Sequence, residues 1–545
     1  MSLGRYFETA RHLRPCQWAG RLRMMFPRPS VHEAGPLEAR SLRSPWIRPA
    51  ERAASMTGPS RVKLLHRERD ISSASAWNDP GMERLWLYHL HYFDDVCAEG
   101  AQARKNWHRA LIARWTAENP GPTGAGWEPY PIARRAVNWI KWALAGGGLD
   151  SSARASLASQ AGYLERRLET HLLGNHLLAD AKALAFAGSF LTGLDAERWR
   201  VLGERLLREQ WDEQIMPDGG HFERSPMYHA LILEDALDVL NLARSYGLES
   251  LEVWARAAAA ALLDFLPAAL HPDGEIAFFN DSAFGTAPSP RELFDYGARL
   301  GLEIPDEPGT KSAARPHFGL WAFAAGETRL IMDAGAIGPD YLPGHAHCDT
   351  LSYELSAGGR RVVVNLGTFA YAGSERARFR RTRAHNTVEI DGEEQHEIWA
   401  DFRVARRGYP CDVRWDVAEK SPMLSAAHTG YRRLAGRPLH RRTASWRKGA
   451  WTIEDRVEAA GRHEALGSVH LHPDARILEA GRERVICESG NRRVIFEAFG
   501  ASWRLEETEY SPQFGLKTAT SVLRQEVSGR GNMRFGYRIA VEGGA

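Results

Sequence analysis

Between Gly344 and Asn365 the sequence reads Gly-His-Ala-His-Cys-Asp-Thr-Leu-Ser-Tyr-Glu-Leu and then, past a Gly358-Gly359 turn, Val362-Val363-Val364-Asn365. His345, His347 and Asp349 follow one another at every second position, a spacing that can hold a proton, a metal ion or an anionic ligand. On a strand of period two they share one face with Leu351, Tyr353 and Leu355. The spacing predicts a strand that starts in a wet site and ends in a core, with a merely polar strand edge as the alternative.

Three further clusters carry residue types suited to chemistry. In His171-Leu-Leu-Gly-Asn-His176, Asn175 and His176 stand at the start of an Ala- and Leu-rich helix, where the asparagine is a ligand-binding amide or a helix cap. In Glu223-Arg-Ser-Pro-Met-Tyr-His229, Ser225 is a natural N-cap and Pro226 a natural first helical residue, which puts Tyr228 in the first turn. The positive end of that helix is expected to lower the pKa of a phenol or to help hold a carboxylate. Arg380-Arg-Thr-Arg-Ala-His-Asn-Thr387, which includes Arg383 and His385, enters a strand and reads as an anion site or as solvated surface. Upstream, Trp127, Glu128 and Tyr130 precede Arg134-Arg135 and Asn138-Trp139, a set suited to a sugar ring beside a carboxylate.

The elements that must position these groups fall into two textures. Apolar residues recur at three-to-four spacing in Ile132/Ala136/Ile140, Leu157/Ala161/Leu164, Leu177/Ala181/Leu184 and Leu233/Leu237/Leu240, and further helices are expected at 101–118, 196–213, 251–268 and 290–302. Beyond Pro305, short runs such as Leu330-Ile-Met332, Val388-Glu-Ile390 and Val494-Ile-Phe496 alternate with turn pairs, the pattern of an antiparallel sandwich. Residues 1–75, broken by Pro27, Pro29, Pro45 and Pro49, read as an irregular basic arm. The expected division is therefore an arm (1–75), an all-helical domain (76–310) and an antiparallel β domain (311–545).

Composition excludes several classes. The 545 residues are 44% hydrophobic and 25% charged with a net charge of +2, which gives no general attraction to nucleic acid or anionic lipid. Five scattered cysteines without a Cys-x-x-Cys pair predict neither a disulfide framework nor a thiolate metal cluster, and fit a reducing compartment. No secretory leader and no membrane span are seen, so a cytoplasmic location is expected, with the periplasm as the alternative. The eighteen tryptophans suit sugar faces, although large cores use them too.

Taken in order, Gly174-Asn-His176, Glu223-Arg-Ser-Pro-Met-Tyr-His229, Gly344-His-Ala-His347 and His385-Asn-Thr387 resemble the heparinase II/III-like polysaccharide lyases. The resemblance covers the chain from about residue 80 onward. It implies an incomplete (α/α) toroid followed by an antiparallel β-sandwich, with the cleft between them, and β-elimination on a uronate polymer. Tyr228 and His176 would act as acid and base, and Asn175 and His345 would bind the uronate carboxylate, Arg135 assisting. Asn138, Trp139, Trp127, Glu223 and Arg383 would contact substrate. Some family members hold a divalent metal at positions matching His347 and His385. Asn365 stands where their third ligand, an aspartate, is expected, and an amide is a poor zinc ligand.

The expected partner is an acidic polysaccharide, with no nucleic acid, and a capsule or exopolysaccharide made by the same cell fits the absence of a leader. Two other functions stay open. A uronate C5-epimerase would use the same Tyr and His pair, and a non-catalytic glycan-binding scaffold would bind without turnover.

Overall fold

The computed structural model describes residues 3–31, 37–306, 309–418 and 420–543. Apolar periodicity in the first half produces helices at Arg84–Tyr92, Lys105–Glu118, Pro129–Leu144, Ser151–Glu165, Gly174–Phe190, Leu194–Gln214, Pro226–Tyr246, Glu249–Phe265 and Pro290–Arg299. Their apolar faces merge into one core that includes Trp77, Trp115, Trp139, Leu178, Leu184, Leu237 and Leu262. Among the described residues no helix is long and apolar enough to cross a membrane.

Two helices approach unusually closely at glycine. A Cβ on Gly188 would stand 2.3 Å from the Arg200 amide nitrogen, and one on Gly203 would stand 2.4 Å from that of Ala185. Because these neighbours are backbone, relief requires one helix to move. Gly203→Ala is therefore expected to destabilise the protein by about 1–3 kcal/mol, despite the better helix propensity of alanine. A urea midpoint equal to wild type would show that the helix Gly174–Phe190, which carries two site residues, is not seated this way.

After Arg299 the regular elements are mainly antiparallel strands, interrupted by a helix at Gly373–Arg380 that carries Arg376. Ala313–Arg315, Leu320–Ala325, Thr328–Asp333, Tyr353–Ala357 and Arg360–Val363 form a five-stranded meander. An eight-stranded sheet follows the order 410–416, 423–428, 439–447, 450–458, 533–543, 492–499, 484–489 and 476–480, and a four-stranded one the order 503–513, 516–530, 462–470 and 388–390. Period-two alternation docks the meander on both sides. Trp321 and Phe323 join Leu424, Trp451 and Phe496 in the core of the sheets, whereas Leu320 and Ala322 pack with Phe265, Ala268 and Ala269 of the helical half. That second contact fixes the two halves against each other.

Residues 1–75 depart from the irregular arm expected. They hold helices at Leu3–Ala10 and Pro15–Met25 and a small sheet of Met56–Gly58, Arg61–Leu64 and Arg67–Asp70. Pro15 begins a helix instead of breaking one, in keeping with its tolerance at a first helical position. Leu3, Tyr6, Phe7 and Ala10 recur at helical spacing in the first of these helices, and both are held by the rest of the chain. Trp399 donates to Thr9 Oγ1 (3.0 Å), Gln17 donates to the Tyr341 carbonyl (3.1 Å), and the Arg14 guanidinium lies 3.7 Å from the centre of the Tyr341 ring.

Candidate active site between the helical and sheet halves

Three backbone strains introduce the site. Leu173 has φ 68° and ψ −156°, a region almost restricted to glycine, Arg224 has φ 58° and Asn280 has φ 53°. Such conformations cost on the order of 1–3 kcal/mol each and persist where the surroundings over-determine them. Each stands directly before a functional segment: the helix carrying Asn175 and His176, the N-cap Ser225 ahead of Tyr228, and Asp281. Gly174 is required as well. It has φ 56°, and a Cβ there would meet Leu342 at 2.3 Å and Glu223 Oε1 at 2.9 Å.

Ser225 caps its helix as expected, its hydroxyl accepting from the Tyr228 amide at 3.1 Å. Asn175 is not a cap, because Leu173 occupies that place. Its backbone N–H donates to Glu223 Oε1 (3.2 Å), and its side-chain amide has no hydrogen bond to protein among the described residues.

The strand expected over residues 345–349 is absent. These residues are loop, Leu351 turns left-handed (φ 64°), and regular pairing starts only at Tyr353. The loop is pinned by the segment 280–281 instead. Asn280 Oδ1 accepts from the His347 amide (2.9 Å), the Asp281 amide donates to the His345 carbonyl (3.0 Å), and Asp349 Oδ2 accepts from the Asn280 amide (2.6 Å). Asp349 thus leaves the histidines, and Asp281 takes its place.

Asp281 is fully buried and organises both imidazoles. Its Oδ2 accepts from His345 Nδ1 and its Oδ1 from His347 Nε2, each at 2.8 Å, while Arg376 pairs with both oxygens. Burial alone would raise its pKa, but Arg376 and the two histidines hold it well below the ordinary carboxylate range. With Nδ1 of His345 committed to Asp281, Nε2 is left to exchange a proton.

The His345 ring stacks on Tyr228 with centroids 3.9 Å apart and planes at 30°. The two phenols of Tyr228 and Tyr371 share a hydrogen bond of 2.8 Å. Burial first, and Tyr371 second, push the Tyr228 phenol well above its ordinary pKa. This reverses the lowering expected from the helix end: the resting side chain is an acid. Glu223 Oε2 is buried without a hydrogen bond, 3.6 Å from His345 Nε2, and burial raises its pKa.

His176 lies on the helical side of the same cluster, its Nδ1 bonded to Glu169 Oε2 at 2.8 Å and its ring 4.7 Å from Tyr130. Burial would lower its pKa, but the charge and hydrogen bond of Glu169, with Glu223 beyond, carry it above the ordinary histidine value. Solvent reaches the cluster at the His176 side chain, 29% exposed, and at that of His345, 12% exposed.

Several expected substrate contacts lie elsewhere. Trp127 and Trp139 are core residues, and the fully buried Arg135 stacks 3.7 Å from the Trp115 ring, bonded to Gln160 and to the carbonyls of His91, Pro131 and Gly126. Amphipathic spacing cannot tell an indole that packs a core from one that meets a sugar. Asn138 donates to the Tyr92 carbonyl and Asp94, and lines a water-sized internal cavity of about 10 Å³ with Arg134, Lys141 and Glu234. Arg383 points outward and pairs with Glu389, and Arg380 is buried against the carbonyls of Ala346, Ala400 and Asp401, so the basic cluster is divided. Of that set only Glu223 reaches the site. Sequence reasoning missed Asp281, Tyr371, Arg376 and Glu169, whereas Tyr130 stood in the aromatic set ahead of Arg134. Asp281 carried no signal in the sequence.

The expected metal set supplies two imidazoles and one neutral amide. His347 is neutral, its pKa lowered to about 4 by burial. Its Nε2 lies 2.8 Å from Asp281 Oδ1 and its Nδ1 3.2 Å from His385 Nε2, so the pair is held by contacts within the protein. Asn365 is used at both ends, Nδ2 donating to the Phe278 carbonyl and Ser352 and Oδ1 accepting from the Asn386 amide. Among the described residues no three His, Cys, Asp or Glu side chains are grouped to hold a metal.

Family comparison divides the chain in a similar way, with one model on each half. The model Heparinase II/III N-terminus matches residues 154–296 and the model Heparinase II/III-like, C-terminal matches residues 307–539. The chain belongs to the heparinase II/III-like family. A heparin-sulfate lyase of Pedobacter heparinus is 27% identical over 341 residues, 58% of this chain and 48% of the relative, so the chain spans about half the length of that relative. FtsZ-localized protein C of Caulobacter vibrioides is 25% identical over 509 residues, 86% of this chain and 83% of the relative. Among solved structures, a mutant heparan sulfate lyase from Pedobacter heparinus shares the fold with a TM-score of 0.60 at 19% identity, covering 89% of this chain and 81% of that one.

Proposed function

We propose that this protein is a polysaccharide lyase that cleaves a uronate-containing glycan by β-elimination, its helices an incomplete (α/α) toroid and its sheets a sandwich flanking the cleft. The observation that carries the reading is the stacking of Tyr228, from the helical half, on His345, from the sheet half. The family and the heparin-sulfate lyase relative support the reaction class.

The free amide of Asn175 binds the uronate carboxylate and stabilises the enolate-like charge that develops on it. Glu223, moved toward its protonated form by burial, donates to that carboxylate where an ionised neighbour would repel it. His345 Nε2, its other nitrogen fixed by Asp281, takes the C5 proton. The protonated Tyr228 gives its proton to O4 as the C4–O4 bond breaks and the C4–C5 double bond forms. The resulting imidazolium and phenolate lie ring to ring, and one proton passed between them restores both. His176, bonded to Glu169, is the alternative proton carrier.

Acid and base on one side of the ring favour a substrate whose C5 hydrogen and O4 share a face, the glucuronate configuration over the iduronate one. The same one-sided arrangement favours elimination over epimerisation, which needs groups on both faces of C5. A panel of glucuronate- and iduronate-rich polymers, followed by the ultraviolet absorbance of the unsaturated product, tests the reading. No absorbance on any uronate polymer would reject it. Asn175→Ala is expected to slow turnover by about a hundredfold or more, the scale of one lost oxyanion donor. A loss below tenfold would show that the amide does not hold the carboxylate.

The likeness to FtsZ-localized protein C over 86% of the chain favours a second reading, a glycan-binding scaffold acting where the cell divides. It also favours a polymer of the cell's own envelope as the glycan. A scaffold binds glycan with undiminished affinity and no turnover, and its cellular role survives Tyr228→Phe.

A further inference from the structure

Away from the catalytic cluster, a cavity of about 240 Å³ lies between the turn that joins Leu3–Ala10 to Pro15–Met25 and the segments 406–409 and 429–433. Arg11, His12, Arg406, Arg407, Tyr409 and Arg433 line it. Its volume falls just under the range of about 300–1,000 Å³ typical of drug-sized ligands, which suits a single ring or a small anion.

Most of these cations have a partner: Arg11 with Glu8 (3.0 Å), Arg406 with Glu397 (3.1 Å) and Arg433 with Glu393 (3.5 Å). Arg407 differs. Its side chain is 1% exposed and only Nη2 is bonded, to the Val404 carbonyl at 3.2 Å. Nε and Nη1 have no hydrogen-bond partner, and Asp340 Oδ1 stands 3.8 Å from Nε, already accepting from Tyr409 at 3.0 Å. A buried guanidinium with two open donors is a costly arrangement unless something accepts from it. Open N–H groups on a buried guanidinium suit an anionic oxygen, that of a carboxylate or sulfate.

The cavity is also joined to the catalytic cluster along one loop. Asp340 borders it, Leu342 packs where a Cβ on Gly174 would fall, and His345 is five residues further along the same loop. Five residues span at most about 17 Å, within the reach of a short oligosaccharide.

We propose that this cavity is an accessory subsite that takes a carboxylate or sulfate of the glycan, several units away from the one held by Asn175 and Glu223. The inference rests on the lyase reading for the identity of the ligand as an acidic glycan. Arg407 supplies the open N–H donors, and Arg11, on the exposed turn, supplies the attracting charge.

Titration calorimetry in a Tyr228→Phe background, which leaves ligand intact, tests this with a uronate hexasaccharide, a disaccharide and sodium sulfate. Arg407→Gln and Arg11→Gln are each expected to weaken hexasaccharide binding at least tenfold and to leave disaccharide binding unchanged. Arg11 is 53% exposed on its side chain, so its variant keeps the fold even where Arg407→Gln does not. Hexasaccharide affinity equal to the parent in Arg11→Gln and in folded Arg407→Gln overturns the subsite, as does binding of sulfate alone or no binding at all. Turnover of uronate polymers by the wild-type chain is scored separately: arginine-dependent hexasaccharide binding without turnover keeps the subsite and rejects the lyase. Turnover without arginine dependence does the reverse.

Discussion

Tyr228→Phe is expected to lower turnover about a hundred- to ten-thousandfold, the usual share of a positioned proton donor, while stability stays within about 1.5 kcal/mol of wild type. Only one hydroxyl is lost, together with its bond to Tyr371, and Tyr371 is half-buried, so water can replace the missing partner. The ring remains to stack on His345. The carboxylate contacts belong to Asn175 and Glu223, so KM should move little and kcat should carry the loss.

The pH profile separates donor from base. Burial raises the phenol's pKa, so a donor keeps its proton past the ordinary tyrosine value near 10 and activity extends into that range. A tyrosinate base would instead show a rate that climbs toward high pH. Wild-type turnover in the phenylalanine variant would remove Tyr228 from the chemistry.

What the sequence displayed were the local regularities. Helix spacing in the first half, the Ser225-Pro226 start ahead of Tyr228 and the short-strand texture after Pro305 are set by neighbours along the chain, and they appear in the fold. Tyr228, His345 and Asn175 could be singled out because residue type and motif spacing survive in one dimension. Distance in space does not. Asp281 is 64 residues from His345 and 95 from Arg376, and no periodicity joins them.

The histidine loop was misread for a related reason. Alternation at 345, 347 and 349 looks like a strand, but Asn280 and Asp281 hold that backbone with bonds that a neighbouring strand would otherwise supply. The alternation survives in part, since His345 and His347 do meet one carboxylate. Arg135 and Trp139 show the opposite failure. An arginine whose donors end on backbone carbonyls reads, as sequence, like one waiting for a carboxylate.

Asp281→Asn is expected to damage both fold and chemistry. Asp281 accepts from His345, His347 and both ends of Arg376, more donors than a neutral amide can serve with its one oxygen. The variant leaves Arg376, 1% exposed, without its counter-charge, and breaking a buried pair in this way costs about 3–5 kcal/mol. The carboxylate's pKa is depressed in the folded chain, so its stabilisation is complete above the unfolded value near 4 and is lost as pH falls toward the folded one. The stability gap between wild type and variant should therefore be widest near neutrality and narrow in acid.

Rate should fall for a separate reason. Should the amide N–H₂ turn toward His345, Nδ1 becomes the acceptor and the proton moves to Nε2, where it blocks uptake from C5. The expected loss is about a hundred- to ten-thousandfold in kcat even in the fraction that stays folded. Denaturation midpoints measured across acid and neutral pH, beside kcat on the folded protein, distinguish the two effects. A variant as stable as wild type at neutral pH would show that Arg376 finds its counter-charge elsewhere. Full kcat in the folded variant would show that His345 selects its tautomer without Asp281, and the proton path would then have to run through His176 and Glu169.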